Sequence, residues 1–182
     1  MPHMNDPFFS KSVVYICEHE KNGAMGMIVN KKLDTPELKK IIDKLFEVEK
    51  YFNALKSNTF LGGPVLLEKG IILHHSDYSS SKSIPISKSI SITSDQGALG
   101  DLKREEGVPF KIILGHAGWS AGQLEREIKN GDWLIQNTTS DFIFNLLPNQ
   151  MWEHAARSIG LDINSNLGTP GPVSYTHLRA HE

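Results

Sequence analysis

Residues 13–31 constrain this chain more than any other stretch. An apolar run, Val13-Val14-Tyr15-Ile16-Cys17, is followed by the polar Glu18-His19-Glu20-Lys21-Asn22 and then by Gly23-Ala24-Met25-Gly26-Met27-Ile28-Val29-Asn30-Lys31. Asn22-Gly23 is a strong hairpin turn signal, because both residues tolerate positive φ. The pattern predicts two paired strands, Ser12 to Glu18 and Ala24 to Asn30. Gly26 falls inside the second, where a glycine weakens the strand unless something must approach its backbone closely.

The same reading extends along the chain. Thr35-Pro36-Glu37 predicts a helix start, with Leu38, Ile41, Ile42, Leu45 and Phe46 on one buried face. Val48 to Asn58 reads as a linker. Thr59 to Leu61 predicts a short strand broken by Gly62-Gly63-Pro64. Val65 to Leu67 and Gly70 to His75 predict a second hairpin turning at Glu68-Lys69. Asp77 to Lys82 reads as a mobile serine-rich loop. Ile84, Ile86, Ile90 and Ile92 alternate with polar residues and predict one or two strands, with Pro85 confining the first to an edge or a bulge. A short helix after Thr93-Ser94-Asp95 would turn Ala98, Leu99 and Leu102 inward. Phe110 to Leu114 predicts a central strand. A helix capped by Ser120 should run to Lys129 and end at Gly131. Trp133 to Ile135 predicts a strand, Phe142 to Leu147 a short apolar segment, and Pro148 to Ile159 a helix burying Met151, Trp152, Ala155 and Ile159.

Composition narrows the class. The 182 residues suit one domain, and 39% hydrophobic with 22% charged residues suits a globule with a real core. The net charge is −2 and no long Lys/Arg cluster occurs, which disfavours nucleic acid as a partner. No apolar run approaches the ~20 residues of a membrane span, and the polar first residues do not form a signal peptide. The single cysteine, Cys17, cannot form an internal disulfide, which predicts a reducing, cytoplasmic setting.

Several segments invite chemical readings. Gly115-His116-Ala117-Gly118-Trp119-Ser120-Ala121-Gly122 falls between a predicted strand and a predicted helix, where free N–H groups attract anions. Its spacing matches neither the dinucleotide fingerprint nor a phosphate-binding loop, and tight turns explain glycines equally well. Cys17 and His19 would share one strand face, roughly 7 Å apart by strand rise, too far for a direct hydrogen bond. Cys17 is therefore expected to fill core rather than act as a nucleophile. Asp6, Glu18, His19 and Glu125 could converge as an acid/base set. His74-His75 diverge on a strand, and no Cys-x-x-Cys, His-x-x-x-His or dense carboxylate cluster predicts a metal site. Gly-x-Ser-x-Gly is absent. No cofactor is implied. Trp119, Trp133 and Trp152 read as core anchors.

Five segments also occur in a telling order: Met4-Asn5-Asp6-Pro7-Phe8-Phe9, Cys17-Glu18-His19, Asn22 to Asn30, Gly62-Gly63-Pro64-Val65 and Gly115-His116-Ala117-Gly118-Trp119. Together they resemble the AlgH/YqgE family of bacterial proteins over about residues 1 to 165. The resemblance implies a mixed α/β fold with a bent, bifurcated sheet curled into a pseudo-barrel and flanked by helices. It implies no assigned reaction; the AlgH name reflects a regulatory role proposed for alginate production in pseudomonads. It places Asp6, His19, Asn30, Gly62, Gly63, Gly118 and Trp119 on the family's characteristic surface. It also implies a strand before Met1-Pro2. Val173 to Glu182 resembles a translated sequencing adapter, so residues 1–172 are read as one domain and 173–182 as a non-native, disordered tail.

The leading functional expectation is a cytoplasmic binding or regulatory protein that takes a small anionic ligand or a protein partner. The ligand-binding cleft would be lined by Gly26, Asn30, Gly62, Gly63, Gly118 and Trp119. The alternative is a metal-independent hydrolase or transferase using His19 with Glu18 or Asp6. Direct DNA contact by a transcriptional regulator is a third reading, disfavoured by the acidic balance and the missing helix-turn-helix signal.

Overall fold

The computed structural model describes residues 9–33, 58–95, 97–105, 107–160 and the backbone of 173–176. The expected helix from Thr35, the linker after it and Asp6 lie outside the described residues. The strands are β1 (Val13–Glu20), β2 (Gly23–Ile28), β3 (Thr59–Leu61), β4 (Val65–His75), β5 (Ile84–Pro85), β6 (Ile90–Thr93), β7 (Phe110–Ser120), β8 (Leu134–Gln136) and β9 (Val173–Thr176). The helices are α1 (Gly97–Arg104), α2 (Gln123–Lys129), α3 (Ser140–Phe144) and α4 (Pro148–Ser158). The fold is mixed α/β, with a curled half-barrel sheet flanked by helices.

The strand order is β5-β6-β4-β7-β2-β1-β9-β8, with β3 paired to β7 beside this path. β1 and β2 form the expected hairpin, from Val14 opposite Ile28 to Glu20 opposite Gly23. Its register shifts between Ile16 and Glu18, so Cys17 is an extra, bulged residue. The strict alternation expected for Cys17, Glu18 and His19 therefore does not hold.

β7 organises the sheet. It is longer than the sequence predicts, because the expected turn at Gly115–Trp119 continues as strand. One edge of β7 carries two partners in series: β3, parallel, beside Ile112 to Leu114, then β2, antiparallel, beside Ala117 to Ser120. The other edge carries β4. This fork is the bifurcation that the resemblance implied. The second hairpin expected between Val65 and His75 does not form. Both ends of β4 pair with β7, and the residues between Val65 and Gly70 form an irregularity that holds Leu66 at a left-handed φ of 52°.

Packing follows from the alternation of strand side chains on two covered faces. Val13 and Tyr15 join Met27, Phe60, Leu73 and Ile113 beneath α3 and α4. Val14 and Ile16 join Ile28, Ala117, Trp119 and Trp133 beneath Leu124 of α2. Ile72, Ile112 and Leu114 pack on Ala98, Leu99 and Leu102 of α1, the three positions the sequence predicts. All three tryptophans are core anchors. In α4, Met151, Trp152, Ala155 and Ala156 are buried, whereas Ile159 at its end is exposed.

Two further expectations change. The helix after β7 begins at Gln123, with Gly122 as N-cap at φ 70° and no side-chain cap; Ser120 instead receives the Gln123 side chain, whose Oε1 accepts from the Ser120 N–H at 3.0 Å. Residues 173–176, expected to be disordered, form β9 between β1 and β8, parallel to both. Parallel pairing satisfies backbone groups whatever the side chains are, so sequence origin alone does not exclude a strand.

Candidate functional site

The glycines expected to line a cleft gather at the fork on β7. Gly62 closes it: its N–H donates to the Leu114 carbonyl at 2.8 Å, and its carbonyl accepts from Ile28 N–H at 2.8 Å. A Cβ on Gly62 would collide with the Gly115 carbonyl, and one on Gly63 with the backbone of His116 and Ala117. Gly26 sits opposite Ala117, and a Cβ there would meet Val14 Cγ1 at 2.8 Å. The approaching groups, backbone at Gly62 and Gly63 and β1 side chains at Gly26, are the protein's own, which is a sufficient reason for these glycines. Gly118 differs: it is exposed, and a Cβ there would face open space.

Asn30 is a clamp. Its Oδ1 accepts from Val13 N–H at 2.8 Å and its Nδ2 donates to the Lys11 carbonyl at 3.0 Å, fixing the entry to β1. Trp119 is buried, and its indole N–H donates to Glu127 Oε2 at 2.8 Å. The same oxygen accepts the Trp133 indole N–H at 2.7 Å, while Gln123 holds the other oxygen at 2.8 Å. The two rings meet edge to face, with centroids 5.7 Å apart. Glu127 thus fastens α2 to β7, a role the sequence reading missed.

Among the described residues, the side-chain hydrogen bond of His19 is not to Glu18. His19 pairs with Glu125 of α2, Nε2 donating to Oε1 at 2.7 Å. The Glu125 carboxyl is held below its ordinary value, first by a bond to its own backbone N–H and next by His19. Both side chains reach solvent, so the pair is accessible for proton transfer but is not enclosed. Cys17 is half-buried against the core, and burial, with the Glu18 charge adding, pushes its thiol well above the usual cysteine range. A thiol so shifted is a poor nucleophile. His116, half-buried on β7, is depressed by burial.

Two concavities lie elsewhere. An open groove of about 500 Å³ runs along the outer face of α4, lined by Leu146, Gln150, Glu153, His154, Arg157 and Ser158. Arg157 is mostly exposed, and its contact with Glu153 is long, at 3.8 Å. Helical spacing puts these residues on the polar face of α4, and sequence periodicity gives no reason to single out that face. A smaller hollow of about 190 Å³ is lined by His75, Asp77, Asp141 and Asn145 among others, with His75 Nδ1 3.0 Å from Asp77 Oδ2. Among the described residues no three His, Cys, Asp or Glu side chains are placed to hold a metal ion. No described helix is long and apolar enough to cross a membrane.

The curled sheet and its flanking helices define a fold shared with known proteins. The AlgH-like family model matches residues 1–164, and the chain belongs to that family. A UPF0301 protein of Thioalkalivibrio sulfidiphilus is 38% identical over 172 residues, covering 94% of this chain and 91% of the relative. The UPF0301 protein YqgE of Salmonella paratyphi A is 37% identical over 175 residues, covering 94% of each. The solution structure of AlgH from Pseudomonas aeruginosa superposes with a TM-score of 0.73 at 29% identity, over 93% of this chain and 92% of that one. A crystal structure of protein DIP2367 from Corynebacterium diphtheriae, at 21% identity and a TM-score of 0.57, shares the fold over 86% of this chain and 82% of its own.

Proposed function

We propose that this AlgH-family chain is a binding protein and that its ligand site is the groove along α4. The observation that carries the reading is the open hollow of about 500 Å³ in which Gln150, His154 and Arg157 supply donors around Leu146. Arg157 is the main attraction for an anion: it is permanently charged, and an anion placed bidentately would gain more than its long contact with Glu153 gives. The ligand class is therefore a small anion or an acidic segment of a partner. The groove's open form and single acidic lining residue fit exchange with solvent rather than enclosure of a reaction. The binding reading does not call on nucleic acid, and the glycine fork serves it as a rigid support.

The test is a thermal-shift screen of small carboxylates and phosphates on the full chain, since a ligand specific for the folded state raises its melting temperature. A hit should lose its shift in Arg157→Ala and keep it in Gly118→Ala. A hit that ignores Arg157→Ala and His154→Ala would remove the groove as the site.

A further inference from the structure

The serine-rich loop is tied to the domain by a histidine. His74, near the end of β4, is fully buried, and its ring meets Tyr78 edge to face with centroids 5.1 Å apart. Nδ1 lies 2.9 Å from the His75 carbonyl oxygen, and Nε2 lies 3.1 Å from Ser83 Oγ. A carbonyl oxygen only accepts, so Nδ1 carries the proton. Burial lowers the ring's pKa, with the neighbouring His75 adding and the carbonyl bond opposing, so the ring is neutral at neutral pH.

That assignment gives the remaining bonds a direction. Nε2 must accept, so Ser83 donates its O–H to it. Ser80 Oγ, 3.1 Å from Ser83 Oγ, then donates to Ser83 and itself accepts from Lys82 N–H at 3.3 Å. A hydroxyl bonded to a neutral imidazole, whose far nitrogen is oriented by an acceptor, is the arrangement that activates serine nucleophiles. Ser83 is half-buried between exposed Lys82 and Ile84, with the fully buried base behind it.

We propose that Ser83, with His74 as its base, is a nucleophilic site that takes an acyl group from small activated carboxylic esters. In that step the Oγ–acyl bond forms and the bond from the acyl carbon to the departing oxygen breaks. The Ser83 proton passes to His74 Nε2 and from there to the departing oxygen; nothing is oxidised or reduced. The backbone N–H of Ser83 is already given to the Ser80 carbonyl at 3.1 Å, and that of Lys82 to Ser80 Oγ. Neither is free to stabilise an oxyanion, so single acylation is expected rather than rapid turnover.

The experiment is to incubate the full chain with p-nitrophenyl acetate, follow nitrophenolate release, and locate the acetyl group by peptide mass. The expected result is acetyl on Ser83, and release slowed about tenfold or more by Ser83→Ala but not by Ser81→Ala, an exposed residue of the same loop, as for loss of a base-assisted nucleophile. The rate should stay level above neutral pH and fall in acid, below the ordinary imidazole value of 6.5, as the imidazole gains a proton. His74→Gln should slow release as Ser83→Ala does; where that variant fails to fold, the pH profile of the unaltered chain decides in its place. Acetyl on Lys82 or on other serines, with Ser83→Ala as fast as the unaltered chain, would overturn the proposal. So would a Ser83 rate that shows no fall in acid.

Discussion

The side-chain nitrogen of Lys111 lies 2.8 Å from the carbonyl oxygen of Val29, inside the core and 82 residues away along the chain. Among the described residues, Met151 Sδ lies 4.0 Å from it and the ring centroid of Phe60 4.3 Å. A carbonyl, a thioether and a ring do not replace the water an ammonium loses. Burial lowers the Lys111 pKa to about 7, and the positive charge of Lys32 adds to the effect.

This burial predicts how stability depends on pH. The folded pKa is about 7 and the ordinary value is 10.5, so between these limits the unfolded chain binds more protons. Stability contributed at this position therefore rises as pH goes from about 7 to about 10, and the penalty is complete below that window. At about 1.4 kcal/mol per unit the ceiling is roughly 5 kcal/mol. Lys111→Met should raise the urea midpoint most at pH 6 to 7 and flatten the slope above. Equal slopes in the two proteins would show that the amine is solvated.

Glu127 should matter for stability more than an ordinary half-exposed carboxylate. Glu127→Ala leaves two buried indole N–H groups without their acceptor, and each such loss costs about 1–3 kcal/mol. A fall of about 2–4 kcal/mol, with changed tryptophan emission, is expected by denaturant titration. Glu127→Gln keeps an acceptor and should cost less.

The fork glycines should separate sharply. Gly63→Val puts a side chain into the backbone of His116 and Ala117 at a φ of 153°, and the variant should be insoluble or unfolded by circular dichroism. Gly118→Ala meets nothing and should change stability by less than about 0.5 kcal/mol. A folded Gly63→Val protein would mean that the fork can open.

Cys17 should react slowly. With its thiol shifted upward, labelling of the native chain at pH 8 should lag well behind free cysteine and catch up only in denaturant. Rapid native labelling would reopen Cys17 as a nucleophile.

Deleting 173–182 should lower the melting temperature by about 3–6 °C, because β9 pairs with Val13 to Ile16 on one side and Leu134 to Gln136 on the other. An unchanged melting temperature would mean that β1 holds its place without β9.

Local chemistry was enough to place much of this chain. Asn22-Gly23 fixed the first hairpin, Pro85 confined β5 to the sheet edge, and Ala98, Leu99 and Leu102 marked the inner face of α1. These features depend on φ preferences, missing donors and periodicity, all of which act over a few residues. What the sequence could not decide was which distant backbones would meet. Gly26, Gly62 and Gly63 announced a close approach, but only the fork on β7 identified the approaching group as the protein's own chain. The sequence offered His19 three carboxylates, Asp6, Glu18 and Glu125, and only the packing of α2 brought Glu125, 106 residues away, against it. Ser83 and His74 are joined across a loop that the sequence marked only as polar. Propensity and pattern are properties of a segment, whereas a site is made by segments that the closed sheet brings together, and that pairing is a tertiary decision.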